Sequence, residues 1–506
     1  MIVPVTATAR SCGPGACARL GLVPDALTSP PAGPAAPAAA PDALATSDLV
    51  AWAGGRLLRD SGRRINGAAV DSRLVRPGEL FVALAGERTD GHRFLIEAAR
   101  AGAAGLLVAT APTPATLAAI GDVTVLVVPD PLAGLQAIAA GWRMRFSPLV
   151  VGITGSIAKT STKEAVAAVL AARGRTLRSA GNQNNEIGLP LTLMRLTRDD
   201  LHAVLEMGMY ARGEIARLCD LARPSIGVVT AVQGVHLSRI GTIDAVTDAK
   251  AELVEALPED GAAVLNADDP RVRRMAARTR ARTISYGFTP DADVRATAVR
   301  SLGVDGMAFT LTAGPATGLA GSVEVRIPVL GRLSVHNALA GAAVGLAAGM
   351  PLDQISEGLG AGWAAPHRGQ LERAGGVTIV DDSYNASPAS MLAALELLAG
   401  LGGRRVAVLG EMLELGEGSL PGHLQVGRAA AGACALLVTV GPGAAAIAAG
   451  ARAAGMAEAD IVETADRPGA LAALHERLAP GDAVLVKASR GASLDLLVAD
   501  LVRALA

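Results

Sequence analysis

The chain has 506 residues, too many for one hydrophobic core, and length alone points to about three domains. Lys+Arg 46 against Asp+Glu 47 leave a formal net charge of -1, which argues against nucleic acid or an anionic membrane surface as the main partner and leaves small molecules as the default. The four cysteines, Cys12, Cys17, Cys219 and Cys434, follow neither a metal-ligand nor a disulfide spacing, so a reducing, cytoplasmic setting is expected.

Residues 1–45 are dominated by Ala, Pro and Gly, as in "SPPAGPAAPAAAPDALA", with no periodic apolar face to bury, and read as a flexible extension. A basic segment followed by an apolar run is missing there, so a secretory signal is not expected. Residues 46–148 carry short apolar runs, "LFVALAG" and "GLLVAT", around the helical "HRFLIEAARAGAA", which predicts a first small α/β domain. A second unit, 149–366, opens with "LVVGITGS" and the helix "TSTKEAVAAVLAARG", then repeats strand-like runs at "HAVLEMG", "IGVVTAV" and "AAVLNADD". Such alternation predicts a mostly parallel sheet with helices on both faces. After Pro366 the rhythm restarts with "VTIVDD", "RRVAVLGE", "ALLVTVG" and "DAVLVKAS", a second doubly wound, Rossmann-like unit over 367–506. The uncharged stretch 429–451 is interrupted by Gly441, Pro442 and Gly443, so it reads as a buried strand, a turn and a helix, with no membrane span.

Chemistry concentrates where the second unit begins. The strand-turn-helix at 152–163 places Lys159 and Thr160 where a P-loop has its phosphate-binding lysine and magnesium-binding hydroxyl, with Gly155, Ser156, Ala158 and Ser161 forming the surrounding cradle. The spacing Gly-x-x-x-Lys-Thr is short, and Ala158 stands where a glycine usually precedes the lysine; an ordinary Gly turn into a helix is the plain alternative. Glu206 closes a strand beside the P-loop strand, where a carboxylate can hold the nucleotide's Mg²⁺ or simply face solvent. His236 follows "IGVVTAV" at a sheet edge where ligands of α/β folds bind, although a lone His is more often structural. Lys250, in "AVTDAKAELVEAL", reads on its own as a surface lysine. Near the C-terminus, Lys487, Ser489 and Arg490 follow a buried strand, where basic residues can hold a carboxylate.

From the P-loop onward "TGSIAKTSTKE", "GNQNNEIGLPLTLMRL", "LEMGMYARGEIARLCDLARPSIGVVTAVQGVHLSRIGTIDAVTDAKAEL", "VLNADDP", "HNALAGAA", "IVDDSYNASPASM", "VLGEMLELG" and "VKASRG" follow one another in the order in which the Mur ligases carry their motifs. The chain resembles that family over nearly all its length after the extension. The resemblance implies a cytoplasmic, ATP-dependent ligase that joins an amine to a carboxylate through an acyl phosphate. It implies two Mg²⁺ ions held by Thr160, Glu206, His236 and Lys250, the last as a carbamate. Asn337, Asp382, Tyr384 and Asn385 match residues around the base and ribose, and Arg368 matches an arginine facing the γ-phosphate, in a "HRGQLE" context that departs from the family's usual Gly-Arg. Asp71, Ser72 and Arg73 head a segment similar to the family's UDP-sugar site, and Asn184 and Asn185 lie in its Asn-Asn stretch. A charged turn, a strand-end Asx cap and a helix-start Asn are the bland readings of these positions. The motifs look most like those of members joining D-alanyl-D-alanine to UDP-N-acetylmuramoyl-tripeptide, and a monomer is expected. A sister ligase with another acceptor and a nucleotide-binding, non-catalytic paralogue are the alternatives.

Overall fold

The computed structural model describes residues 42–86, 89–233 and 240–506. Among them, three sheets follow one another along the chain. The first holds β1 (Arg56–Arg59), β2 (Ala68–Ala69), β3 (Leu80–Val82), β4 (Gly105–Val108) and β5 (Thr124–Val127), in the order β1-β5-β4-β3-β2. All run parallel except β1, which is antiparallel to β5.

The central sheet holds β6 (Leu149–Thr154), β7 (Thr176–Arg178), β8 (His202–Glu206), β9 (Ile226–Val229), β10 (Ala262–Asn266), β11 (Arg282–Gly287), β12 (Val294–Ser301), β13 (Met307–Ala313) and β14 (Gly321–Ile327). Its order is β14-β13-β12-β11-β10-β9-β6-β8-β7. The strands from β7 to β12 are parallel, and an antiparallel meander, β12-β13-β14, extends one edge. The third sheet holds β15 (Gln370–Ala374), β16 (Val377–Asp381), β17 (Arg405–Gly410), β18 (Leu436–Val440), β19 (Ile461–Thr464) and β20 (Ala483–Lys487), in the order β15-β16-β20-β17-β18-β19. Only β15 is antiparallel there.

The P-loop helix Lys159–Ala171 is buried on several sides, so its sequence lacks a clean apolar stripe. The helix Arg332–Ala347, itself almost wholly buried, packs across it. Small residues permit this approach: a Cβ added at Gly341 would sit 3.2 Å from the Ala165 carbonyl oxygen, and one at Gly345 would sit 2.9 Å from the Val169 side chain. No helix of the described residues is long and apolar enough to cross a membrane, and 429–451 begins in the end of the helix Ser419–Ala433 before it passes through β18 and a short turn into the helix Ala445–Ala453. Of the cysteines, Cys219 and Cys434 are buried free thiols; burial pushes Cys219 up to about 12 and Cys434 up to about 11.

Residues 42–45, counted with the extension in the sequence, belong to the folded part. The first 41 residues lie outside the described residues, but Leu44 is fully buried and pairs with Ile65 in both directions, at 2.7 and 3.0 Å. Asp42 also pairs with Arg198 of the central unit, which holds the Asp42 carboxyl below its usual range. One leucine in an Ala/Pro-rich run gives no periodic signal, so only tertiary contact reveals it.

Candidate functional site

The two strands flanking β6 build the site. Register pairs Ile153 with Glu206 on β8 and Thr154 with Val229 on β9, so the carboxylate, the P-loop and Thr230 emerge together at the C-terminal edge of the sheet. Gly155 must be glycine, because a Cβ there would collide with the Thr230 hydroxyl oxygen. Thr230 Oγ1 donates to the Ile157 carbonyl at 2.6 Å, Ser156 N donates to the Ala231 carbonyl at 2.7 Å, and Gln233 N donates to Ser156 Oγ at 2.9 Å. These bonds shape the loop before any ligand arrives.

Ala158 caps the helix in a left-handed conformation, φ 64° and ψ 0°. That is the conformation a glycine would adopt freely, so the methyl is accommodated at a strain cost of about 1–2 kcal/mol. Lys159 folds back to donate to the Gly155 carbonyl at 2.9 Å. Desolvation lowers its pKa; the Glu206 carboxylate opposes that shift and the Arg368 guanidinium adds to it.

Glu206 is 2 % exposed, and among the described residues it makes no ion pair. Its oxygens accept from neutral donors, Thr160 Oγ1 at 2.8 Å and Asn184 Nδ2 at 2.9 Å. A buried carboxylate bonded directly only to neutral donors, one of them a hydroxyl, is a hard oxygen donor set that fits Mg²⁺. Two residues that sequence reading missed hold it in place: the Lys163 ammonium donates to the Ser179 carbonyl at 2.6 Å, and Ser179 Oγ accepts from Glu206 N at 3.2 Å. Lys163 is 1 % exposed, so its place in an otherwise helical run was the available signal, a lysine on a buried face.

Lys250 is not the surface residue its sequence suggests. It is 3 % exposed on the helix Ile243–Glu255, its ammonium finds no hydrogen-bond partner among the described residues, and desolvation, with the charge of Lys159 second, lowers its pKa well below the usual lysine value. A cavity of about 320 Å³ opens between Lys159, Lys250, Gly155, Ser156, Asn184 and Asn185. Tyr210, Glu214 and Arg217 also line it and were not singled out from sequence. As an ammonium Lys250 would repel a cation; a carbamate would give it the carboxylate oxygens that suit Mg²⁺. Among the described residues no group of three or more His, Cys, Asp or Glu side chains clusters as a metal site, and His236 lies outside the described residues.

Other positions fall elsewhere. Asn185 Oδ1 accepts from Gly188 N at 2.9 Å, in the turn that leads into the helix Gly188–Leu193, and Ser161 enters the first turn of the P-loop helix. Asn337 is buried and accepts from Thr162 Oγ1 at 3.0 Å, which ties its helix to the P-loop helix. In the third unit Lys487 Nζ meets Asp382 Oδ2 at 2.7 Å and the Asn385 carbonyl at 2.9 Å, while Ser489 Oγ accepts from Leu413 N at 2.9 Å. Two guanidinium groups lie over the Tyr384 ring, Arg368 at 4.2 Å and Arg490 at 5.0 Å from its centre. Asp71 and Arg73 close on each other, Oδ2 to Nη2 at 2.6 Å, and Ser72 donates to Glu97 at 3.3 Å; none of the three lines the P-loop cavity.

Family models match this arrangement in three pieces: "Mur ligase family, catalytic domain" over residues 64–143, "Mur ligase middle domain" over 153–345 and "Mur ligase, glutamate ligase domain" over 367–490. The chain belongs to the Mur ligase family. Within it, the chain is 41 % identical over 483 residues to the UDP-N-acetylmuramoyl-tripeptide--D-alanyl-D-alanine ligase of Mycobacterium bovis, covering 87 % of this chain and 93 % of that protein. It is 40 % identical to the enzyme of the same name from Escherichia coli, covering 72 % and 79 %. Crystal structures of MurF from Acinetobacter baumannii (TM-score 0.80, 28 % identity, 92 % of this chain and 99 % of that one) and of MurF from Thermotoga maritima in complex with ADP (0.74, 28 %, 87 % and 98 %) share the fold.

Proposed function

We propose that this chain joins D-alanyl-D-alanine to UDP-N-acetylmuramoyl-tripeptide, with ATP as the phosphoryl donor. The observation that carries the reading is the pocket lined by Lys159 and Lys250, neither of which makes a salt bridge among the described residues, at the sheet edge where the buried Glu206 carboxylate accepts from Thr160. Such a site is built for anions and a divalent ion together. The relatives' names supply the two substrates.

A carboxylate oxygen of the donor peptide attacks the γ-phosphorus, and the bond to the ADP oxygen breaks, with ADP taking the electron pair. The acceptor amine then adds to the carbonyl carbon of the acyl phosphate, phosphate leaves, and the amine loses a proton. Lys159 releases the Gly155 carbonyl and turns to the β- and γ-phosphates, and the P-loop amides hold them. Arg368 approaches from the third unit. Thr160 and Glu206 would hold Mg²⁺, with His236 and a carbamylated Lys250 for a second ion. Bound Mg²⁺ neutralises phosphate charge as it builds up. Asn337, Asp382, Tyr384 and Asn385 face base and ribose; Asp71, Ser72 and Arg73, with Asn184 and Asn185, hold the donor; and Lys487, Ser489 and Arg490 lie toward the acceptor's carboxylate. Segments 42–148, 149–366 and 367–506 thus act as donor, nucleotide and acceptor modules of a cytoplasmic monomer.

Phosphate release by the purified protein, measured with Mg²⁺ and each substrate omitted in turn, tests this. Release that needs all three substrates, with a product of pentapeptide mass, is expected. Release that ignores D-alanyl-D-alanine, or requires a different amine, contradicts it.

A further inference from the structure

Arg368 lies in a short turn, closed by its own N–H on the Ala365 carbonyl at 3.1 Å. The residue before it, His367, has φ 59°, a left-handed conformation that costs a residue with a side chain free energy that glycine escapes. Something must hold it there.

Two bonds do. The His367 carbonyl accepts from Tyr384 N at 3.1 Å, and His367 Nδ1 lies 2.7 Å from Asp381 Oδ2. Asp381 ends β16, is 3 % exposed, and accepts on Oδ1 from Ser383 N at 3.1 Å and Ser383 Oγ at 2.5 Å. With that oxygen filled, Oδ2 is left for the imidazole, and Nδ1–H donates to it. The imidazole is thus pinned to one strand of the third unit while its backbone is pinned to Tyr384, the ring on which Arg368 rests.

We infer that His367 is a positioning residue: its bond to Asp381 fixes the turn between the second and third units and so aims Arg368 at the phosphate held by the P-loop. The inference rests on the reading of Arg368 as the γ-phosphate-facing arginine. Arg368 and Lys159 are close enough for their charges to interact. An imidazole anchor at this point gives a side-chain role to a position where backbone freedom alone would favour glycine.

The test compares His367→Gly, His367→Asn, Arg368→Ala and the double variant His367→Gly/Arg368→Ala, each assayed for substrate-dependent phosphate release and thermal midpoint. Glycine relieves the backbone but leaves Asp381 Oδ2 without its donor, so His367→Gly should melt within about 5 °C of the parent, yet lose about tenfold in kcat with a change in ATP KM below about threefold. Asparagine tolerates the conformation and offers an amide donor to Asp381, so His367→Asn should recover to within about threefold of the parent. In the Arg368→Ala background, His367→Gly should cost nothing further. Parental kcat in His367→Gly beside an impaired Arg368→Ala overturns the inference alone, as does a loss confined to KM or one that asparagine does not rescue. Parental kcat in Arg368→Ala overturns the reading beneath it.

Discussion

Lys250 in the central unit and Lys487 in the third are equally hidden, each 3 % exposed, yet they are opposite kinds of residue. Lys487 sits at the end of β20 with an Asp382 carboxylate at 2.7 Å and the Asn385 carbonyl at 2.9 Å. Among the described residues Lys250 has no such partner, and the charge that shifts it is that of another lysine, Lys159. Burial of a cation is tolerable when its partner is buried with it, and costly when it is not. An unpaired buried cation persists where an incoming anion or a chemical change completes it, which is why the central pocket, and not the equally buried third-unit lysine, carries the functional reading.

Substitutions break this contrast in order of size. Lys159→Ala and Lys250→Ala should each lower ligation about a thousandfold, measured as substrate-dependent phosphate release. Lys487→Met should act on stability first: it strands the Asp382 carboxylate and costs about 2 kcal/mol in denaturant unfolding. Lys250→Met should do the reverse and raise the thermal midpoint by about 2 °C or more in CO₂-depleted buffer, because it removes an uncompensated charge. Its sign with pH follows from the lowered Lys250 pKa. Below the ordinary lysine value of about 10.4, the unfolded chain takes up a proton that the folded one resists. Stability of the parent therefore falls as pH drops from there toward the folded pKa, and the advantage of Lys250→Met should be wider at neutral pH than near pH 10. Smallest is Ala158→Gly, which should stabilise by about 1 kcal/mol or less, since relief of the left-handed strain is offset by glycine's greater freedom when unfolded.

The parts of the molecule legible in sequence are those that local pattern encodes. Buried strands at "LVVGITGS" and "HAVLEMG", and the turn into the Lys159 helix, are set by residues within a few positions of one another, so the mostly parallel central sheet could be read directly. The meander β12-β13-β14 was not singled out, because its strands differ in burial: Gly321–Ile327 alternates, whereas Met307–Ala313 is nearly all buried. Residues acting across long separations were hidden. Lys163 supports Glu206 only through Ser179, and His367 finds Asp381 across the β15-β16 hairpin. Lys250 was misplaced on the surface because its helix carries acidic neighbours on the other face; its depth depends on how that helix packs against the sheet. Asp71 and Arg73 show the converse, a charged pair prominent in sequence that folding closes on itself.

The central claim is that the pocket transfers a phosphoryl group onto the donor's carboxylate. Donor peptide labelled with ¹⁸O in its terminal carboxyl group, turned over once with ATP and D-alanyl-D-alanine, tests this directly by mass analysis of the released phosphate. Phosphate carrying one ¹⁸O per amide formed is the result predicted, because the attacking oxygen leaves with phosphorus when the amine displaces it. Unlabelled phosphate, with product still formed, would contradict the account.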